Sequence, residues 1–326
     1  MKTETVIGID IGGTFTKIGI AGKKGDLYYE DTIQTDKFED PKAYVESIHD
    51  LIRDFSKNNQ DDLEIRGIGI GAPNANFYTG NVEFAPNLIW KGVIPFAEIF
   101  RNTFNLPVSI TNDANAAAIG EMIFGAAKNM NNFVMITLGT GLGSGLVVNG
   151  DLVYGHDGFA GELGHVMVKE KGRRCGCGKR GCLETYVSAT GIKRTVFELL
   201  ATENDDSVFR NVTYNDLDSK QITQAANNGD KIAKKAFDRT GKMLGRALAD
   251  TVAHISPEAI FLFGGLALAG DWIFKPTKEA LEDHLLEIFR NRIKVLPSSL
   301  LHKNIAVLGA AALIWKTLEE PGQINH

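Results

Sequence analysis

All three cysteines of the 326-residue chain lie within eight positions, in the glycine-rich stretch CGCGKRGC. Cys175, Cys177 and Cys182 are separated by one and then four residues. Thiolates at this spacing can wrap around one Zn²⁺, which prefers four nitrogen or sulfur ligands in a tetrahedron. A histidine would complete the set, and the spacing does not choose between His156 and His165. A free or redox-active thiol is the alternative, although clustered cysteines in a cytosolic chain more often bind metal.

Two glycine-rich segments have the composition of phosphate-binding loops. DIGGT (10–14) and LGTGLGSG (138–145) contain small residues that let backbone N–H groups approach an anion closely. The hydroxyls of Thr14 and Thr140 would add donors, and the Asp10 carboxylate could hold Mg²⁺ near bound phosphates. A tight turn explains either loop equally well when it is taken alone.

The segment ITNDANAAA (110–118) supplies a candidate general base. Asp113 lies where an apolar strand gives way to an alanine-rich helix, a frequent place for site residues in α/β folds. Transfer of a phosphoryl group to a hydroxyl needs a residue that positions the nucleophile and accepts its proton. A simple helix N-cap is the alternative role for this aspartate, and the sequence alone favours it.

These residues must be positioned by an alternation of strands and helices that is typical of an α/β protein. The segments 6–22 and 134–150 each run from an apolar strand through a Gly/Thr-rich turn into a second strand, as in a β-hairpin. Coincidence is one explanation, and a duplicated α/β fold with the two hairpins facing each other across a cleft is the other. The pattern predicts helices at 41–57, 114–127, 231–255 and 306–318, strands at 64–73 and 259–265, and a polar surface excursion at 201–216.

Composition excludes several classes of protein. A hydrophobic content of 44% is ordinary for a globular chain. The net charge of -5 argues against a nucleic-acid partner, and we interpret the short basic run KEKGRRCGCGKR as a solvated loop. No apolar stretch approaches the roughly 18 residues of a membrane helix. Asp10 breaks the apolar run near the N-terminus, so we do not expect that run to be a signal peptide. We therefore expect a cytoplasmic protein without a membrane partner.

Two other nucleotide-binding motifs are absent or out of context. The chain contains no GxxxxGK[ST]. Gly67, Gly69 and Ala72 satisfy GxGxxA, but Pro73 and Asn74 follow at once and indicate a turn instead of the helix that a dinucleotide site requires.

The loops DIGGT and LGTGLGSG, together with FGG (263–265), resemble the phosphate and adenosine motifs of the actin-like ATPase superfamily. Within it the sequence resembles the ROK family of sugar kinases and sugar-responsive repressors. The similarity spans nearly the whole chain and is most specific in GFAGELGHVMVKEKGRRCGCGKRGCLETYVS (158–188). It implies an α/β, two-lobed actin-like ATPase (ribonuclease H-like) fold with duplicated domains. The expected domains are 1–112 plus 302–326, which form a small domain, and 113–301, which form a large one.

The resemblance also implies residue roles and the cofactors ATP, Mg²⁺ and structural Zn²⁺. It selects His165 as the fourth zinc ligand and Asp113 as the general base. The implied sugar contacts are Asn87, Asn112, Asp113, Glu162, His165 and Glu184. The implied nucleotide-binding residues are Asp10, Gly12, Gly13, Thr14, Lys17, Gly139, Thr140, Gly141, Gly264 and Gly265.

The implied activity is transfer of the γ-phosphoryl group of ATP to a hexose, with the 6-OH of glucose favoured. Fructose, N-acetylmannosamine, N-acetylglucosamine and allose remain open. A non-catalytic sugar-sensing repressor is the alternative class. Such repressors carry a winged-helix region before the first glycine loop, whereas Asp10 here follows Met1 by nine residues, which favours a kinase. A homodimer is implied by the resemblance alone.

One residue departs from the family pattern. Asn74 follows Pro73 where many relatives have glycine. Asparagine tolerates a left-handed backbone better than most residues, so we expect the turn to be kept. Its side chain could reach the sugar pocket and change the substrate preference.

Overall fold

A computed structural model of the chain describes residues 2–59, 62–300 and 304–319. These residues form two compact units. The first contains the described residues of Met1–Asn129, Leu152–Ala160 and His302–His326, and the second contains Met130–Asp151 and the described residues of Gly161–Leu301.

The elements alternate along the chain as the sequence predicts. The strands are β1 (Thr3–Ile11), β2 (Phe15–Gly22), β3 (Leu27–Gln34), β4 (Leu63–Gly71), β5 (Val82–Glu83), β6 (Val93–Ile94), β7 (Val108–Thr111), β8 (Phe133–Leu138), β9 (Leu142–Val148), β10 (Asp151–Leu152), β11 (Ala259–Phe263) and β12 (Lys294–Pro297). The α-helices are α1 (Pro41–Asn59), α2 (Phe96–Phe104), α3 (Asp113–Phe124), α4 (Ala189–Thr202), α5 (Ser219–Asn227), α6 (Lys231–Ile255), α7 (Asp271–His284) and α8 (Ile305–Glu319).

Each unit is built on a five-stranded mixed sheet of the same design. The strand order is β3-β2-β1-β4-β7 in one sheet and β10-β9-β8-β11-β12 in the other. In both sheets a hairpin (β1–β2 or β8–β9) is antiparallel, and two further strands add in parallel beside its first strand. The two predicted hairpins and the duplicated α/β architecture are therefore confirmed.

Glycines allow helix α8 to lie directly against the first sheet. Gly8 of β1 pairs with Gly69 of β4. A Cβ on Gly8 would overlap the carbonyl oxygen of Val307, and one on Gly69 would overlap that of Ala310. Because the strands carry no side chain here, the α8 backbone rests on the strand backbones. The Ser109 hydroxyl of β7 and the Thr317 hydroxyl of α8 are 2.9 Å apart and hydrogen-bonded in this buried layer.

Helix α3 packs on α8 through the same kind of contact. A Cβ on Gly309 of α8 would overlap the Ala116 carbonyl oxygen, and one on Gly120 of α3 would lie 3.0 Å from the Gly309 Cα. These contacts hold α3 in the first unit, which continues past residue 112, where we placed the domain boundary, to Asn129. Of the predicted closing segment, 302, 303 and 320–326 lie outside the described residues.

The second unit encloses its core between the sheet and helices α4 to α7. The 25-residue helix α6 begins and ends at the predicted residues and buries Ala233, Phe237, Leu244 and Leu248. Among the described residues, none of the helices is both long and apolar enough to span a membrane.

The close packing of α8 predicts that an added methyl group lowers the free energy of unfolding more at Gly69 than at Gly22. Gly69→Ala should lower the free energy of unfolding by about 2–4 kcal/mol, because backbone atoms of α8 and β4 must move apart. Gly22→Ala is the matched control, since its Cβ would lie 3.2 Å from the ring of Tyr28, which is 43% exposed and can swing away. Equal losses in denaturant unfolding of the two variants would contradict this description of the layer.

Candidate functional site

The turn between β7 and α3 presents the predicted base. Asn112 is the N-cap of α3, and its Oδ1 accepts a hydrogen bond of 2.7 Å from the backbone N–H of Asn115. The alternative role of Asp113 as the N-cap is therefore wrong. Asp113 occupies the first helical position, and its Oδ1 accepts from the N–H of Ala114 at 2.9 Å. Asn112 keeps its side-chain NH₂ as a donor, because the cap uses only its oxygen.

Two carboxyl groups of the first unit have raised pKa values. The Asp113 side chain is exposed, so a hydroxyl can reach it, yet the protein around it raises its pKa, mainly by desolvation. Asp10 is the penultimate residue of β1 and pairs with Lys17 of β2. Burial, and after it the charge of Asp113, raise the pKa of Asp10 to about 6, while Lys17 lowers it. A cation at this place would offset both charges, so the donors fit the predicted Mg²⁺.

The first glycine loop touches the segment that carries Asn87. A Cβ on Gly13 would overlap the Asn87 carbonyl oxygen, so a larger residue would push the two segments apart. The Gly12 N–H donates to the Phe15 carbonyl at 3.0 Å and closes the turn. Thr14 and Lys17 are exposed beside it. The structure thus brings the predicted first phosphate loop and a predicted sugar contact together in one unit.

The second glycine loop lies beside Glu184 and the predicted adenosine motif. The Glu184 Oε2 accepts from the Leu142 N–H at 3.1 Å, and a Cβ on Gly141 would overlap that oxygen. Gly264 has a φ of 100°, and its Cβ would lie 2.6 Å from the carbonyl oxygen of Leu138, next to Gly139. The sequence did not predict the contact between Glu184 and this loop. Gly139 and Thr140 are exposed. A Cβ built on Gly139 or Gly265 would meet no atom within 4 Å.

The predicted zinc ligands converge in the second unit. One ligand atom from each of His165, Cys175, Cys177 and Cys182 lies within 4.8 Å of all the others. The Cys175 Sγ is 3.6 Å from the His165 Nδ1, and the sulfurs of Cys177 and Cys182 are 3.7 Å apart. His156 is not in the group, so the structure selects His165 between the two histidines.

These separations suit a tetrahedral cation. Zinc–sulfur bonds of about 2.3 Å place neighbouring sulfurs roughly 3.8 Å apart, whereas a disulfide needs about 2.05 Å. Burial raises the pKa of the Cys175 thiol to about 12, although a hydrogen bond with the Cys177 backbone opposes the rise. Ligation requires deprotonation of such a thiol, so metal uptake would release protons. The four residues could therefore hold Zn²⁺.

Arg173, which the sequence analysis missed, fixes the cysteine loop to α4. Its side chain is 10% exposed, and the guanidinium makes a bidentate ion pair with Glu198, at 2.8 and 2.7 Å. It also donates to the carbonyl oxygens of Thr185 and Gly191 and lies 4.5 Å from the centre of the Tyr186 ring. Our interpretation of the basic run as a solvated loop is wrong at this residue, although its neighbours Lys171 and Arg174 are exposed. Nothing in the run itself distinguishes Arg173.

Two further polar residues position the predicted site loops. The Ser144 hydroxyl donates to the Gly161 carbonyl and accepts from the Leu163 N–H, which fixes the loop that carries Glu162. Buried Asn76 donates to the Asp157 carbonyl at 2.8 Å and accepts from the Tyr78 N–H at 2.9 Å. An asparagine side chain that accepts from the backbone N–H two residues later forms an Asx turn. The sequence could have predicted this turn, because asparagine is one of the residues that favour it.

Comparisons with known proteins identify a family whose similarity spans nearly the whole chain. The sequence profile of the ROK family matches residues 6–317. A glucokinase from Halalkalibacterium halodurans is 35% identical over 88% of this chain and 88% of its own. A xylose repressor from Caldicellulosiruptor bescii is 29% identical over 95% of this chain and 78% of its own.

A solved crystal structure has a fold similar to that of this chain. The crystal structure of a ROK family glucokinase from Streptomyces griseus, in complex with glucose and AMPPNP, superposes with a TM-score of 0.78. It is 32% identical and covers 95% of this chain and 98% of its own. The predicted α/β fold of the two-domain actin-like ATPase type is confirmed.

The raised pKa of Asp10 predicts a stability that depends on pH. An aspartate whose pKa is about 6 in the folded state and 3.8 in the unfolded state destabilises the fold increasingly as the pH rises between these values. Asp10→Asn removes this cost. The variant should gain free energy of unfolding over the native chain, and the gain should be larger at pH 7.5 than at pH 5 by about 1 kcal/mol.

Denaturant unfolding at the two pH values measures the effect. Asp26→Asn, at an exposed position of the same unit, is the control and should show no such increase. A gain for Asp10→Asn that is equal at both pH values, or a loss at pH 7.5, would contradict the assignment.

Proposed function

The chain belongs to the ROK family, and on that basis we propose that it is an ATP-dependent sugar kinase with glucose as the favoured acceptor. The observation that carries the proposal is the β7–α3 turn. There Asn112 caps the helix, the Asp113 side chain is exposed, and desolvation raises the pKa of its carboxyl. A carboxylate with a pKa closer to neutrality is a better general base than an ordinary aspartate.

In the proposed reaction, Asp113 accepts the proton of the sugar hydroxyl while that oxygen attacks the γ-phosphorus of ATP. The bond from the γ-phosphorus to the bridging oxygen of ADP breaks, and the products are ADP and a sugar phosphate. Mg²⁺ bound with ATP would neutralise phosphate charge, and Asp10 is the residue we propose to hold it. The backbone N–H groups of the two glycine loops would bind the phosphates.

Sugar recognition is proposed for six side chains whose polar atoms can bond hydroxyl groups. The Asn112 NH₂ can donate to a hydroxyl because its oxygen is used by the cap. Vicinal hydroxyls donate well to carboxylates, whereas His165 can donate from one ring nitrogen while the other faces Cys175. We propose sugar contacts by Asn87, Asn112, Asp113, Glu162, His165 and Glu184, and nucleotide contacts by Asp10, Gly12, Gly13, Thr14, Lys17, Gly139, Thr140, Gly141, Gly264 and Gly265.

We propose that Zn²⁺ on His165, Cys175, Cys177 and Cys182 is structural. Arg173 and Glu184 tie the cysteine loop to α4 and to the second glycine loop, respectively. A cation among the four ligands would fix the position of His165 and Glu184, and it has no part in the chemical step.

A sugar-sensing regulator is the second candidate function, because the xylose repressor is a relative over most of the chain. A regulator needs sugar binding but no general base. The exposed Asp113 of raised pKa favours the kinase. The two functions are separated by an ATP-coupled assay across glucose, fructose, allose, N-acetylmannosamine and N-acetylglucosamine. ADP release that depends on a sugar supports the kinase, whereas sugar binding without ADP release supports the regulator.

Removal of the base gives a sharper prediction. Asp113→Asn should lower kcat at least about 100-fold, because no group accepts the hydroxyl proton, and should leave the dissociation constant for glucose within a few fold. Steady-state kinetics and isothermal titration measure the two quantities. A kcat close to that of the native chain would remove Asp113 as the base.

The zinc proposal predicts about one zinc per purified chain by elemental analysis. Cys177→Ser should lose most of this zinc and lower the thermal midpoint by about 5 °C or more. Lys179→Ser, an exposed non-ligand of the same loop, is the control and should keep both. Absence of zinc from the native chain, together with normal stability of Cys177→Ser, would refute the site.

A further inference from the structure

Asn74 and Phe84 are held in left-handed backbone conformations next to each other in the first unit. Their φ values are 52° and 51°. Asparagine adopts this conformation readily, whereas a bulky residue such as phenylalanine does so only where the surroundings enforce it. Phe84 is also 71% exposed, so burial of its ring does not compensate for the strain. Hydrogen bonds to its backbone must supply the constraint.

The Asn74 side chain supplies part of that constraint. Its Nδ2 donates to the Glu83 carbonyl at 3.1 Å and to the Phe84 carbonyl at 3.4 Å. Its own backbone carbonyl accepts from the Glu83 N–H at 3.1 Å, while the Phe84 N–H donates to the Gly92 carbonyl at 2.7 Å. Asn74 therefore binds the end of β5 by both its side chain and its backbone. We call these contacts the Asn74 clamp.

The clamped residues lead directly to Asn87. Only Ala85 and Pro86 separate Phe84 from it, and both φ of proline and burial of Ala85 limit the freedom of this connection. Beyond it the Asn87 carbonyl rests against Gly13 of the first glycine loop. A shift at Phe84 therefore passes along three residues to a group that faces the loop.

We infer that Asn74 is a positioning residue, which sets the place of Asn87 through the clamp and thereby the affinity for sugar. The Asn74 Nδ2 donates to two backbone carbonyls of the clamp, so the inferred role acts through the 84–87 segment. This role rests on the proposed sugar contact of Asn87, but it requires only sugar binding and not phosphoryl transfer.

The test replaces Asn74 by glycine, which accepts the same φ without strain and removes the side chain with its amide. Asn105→Gly is the matched control, since Asn105 has a φ of 53°, is exposed and ends α2 in the same unit. Two properties are measured on the unliganded, full-length proteins. They are hydrogen exchange of the amides of residues 82–93 and the dissociation constant for glucose by isothermal titration.

In Asn74→Gly we expect faster exchange in 82–93 and a glucose dissociation constant raised about threefold to tenfold, as for the loss of a hydrogen bond. In an active enzyme the KM for glucose should rise by a similar factor while kcat and the KM for ATP change less than twofold. Asn105→Gly should change none of these. Unchanged exchange would refute the clamp, and faster exchange with unchanged glucose affinity would refute the positioning role.

The outcome is separable from the proposed function. If the native chain binds glucose without phosphorylating it, the kinase proposal fails while exchange and titration still decide the role of Asn74. If the native chain does not bind glucose, the same titration is run with the sugar of the assay panel that does bind. If none of these sugars binds, both proposals are overturned. Faster exchange of residues 82–93 in Asn74→Gly would then support the Asn74 clamp alone, without a role in sugar binding.

Discussion

Helix α8 lies so close to β1 and β4 that its carbonyl groups occupy the space where side chains of Gly8 and Gly69 would be. Such backbone-to-backbone packing leaves no layer of side chains that could absorb a displacement. Gly309 and Gly120 repeat the contact between α8 and α3. The start of α3 is therefore fixed relative to the ends of β1 and β4. Asp10 lies one residue before the end of β1 and Asp113 begins α3, so the geometry of the candidate site depends on these glycines.

The site is electrostatically unfavourable in the form described. Two carboxyl groups of the first unit have raised pKa values, and Lys17 partly offsets the rise at Asp10. Such groups lower the stability of a fold and are commonly retained where they act on a ligand. Phe84 adds local backbone strain in the same unit. The close backbone packing at the glycines therefore holds these unfavourable groups in position.

Much of the fold follows from sequence periodicity, because apolar spacing is a local property. Helix α6 has the predicted bounds, and both hairpins form around the predicted glycine turns. The site was harder to predict for reasons that are not local. Asparagine and aspartate are equally good caps, so the sequence could not show that Asn112 caps α3 and leaves Asp113 available. Arg173 is buried by α4, which follows it by sixteen residues or more, and the Glu184 contact with Leu142 joins residues 42 positions apart.

The central proposal is that the chain transfers the γ-phosphoryl group of ATP to the 6-OH of glucose. The most direct measurement is the ³¹P nuclear magnetic resonance spectrum of the purified protein with ATP, Mg²⁺ and glucose, followed over time. The account predicts that ADP and glucose 6-phosphate appear in equal amounts. A spectrum in which ATP is unchanged, or in which inorganic phosphate appears without a sugar phosphate, would contradict it.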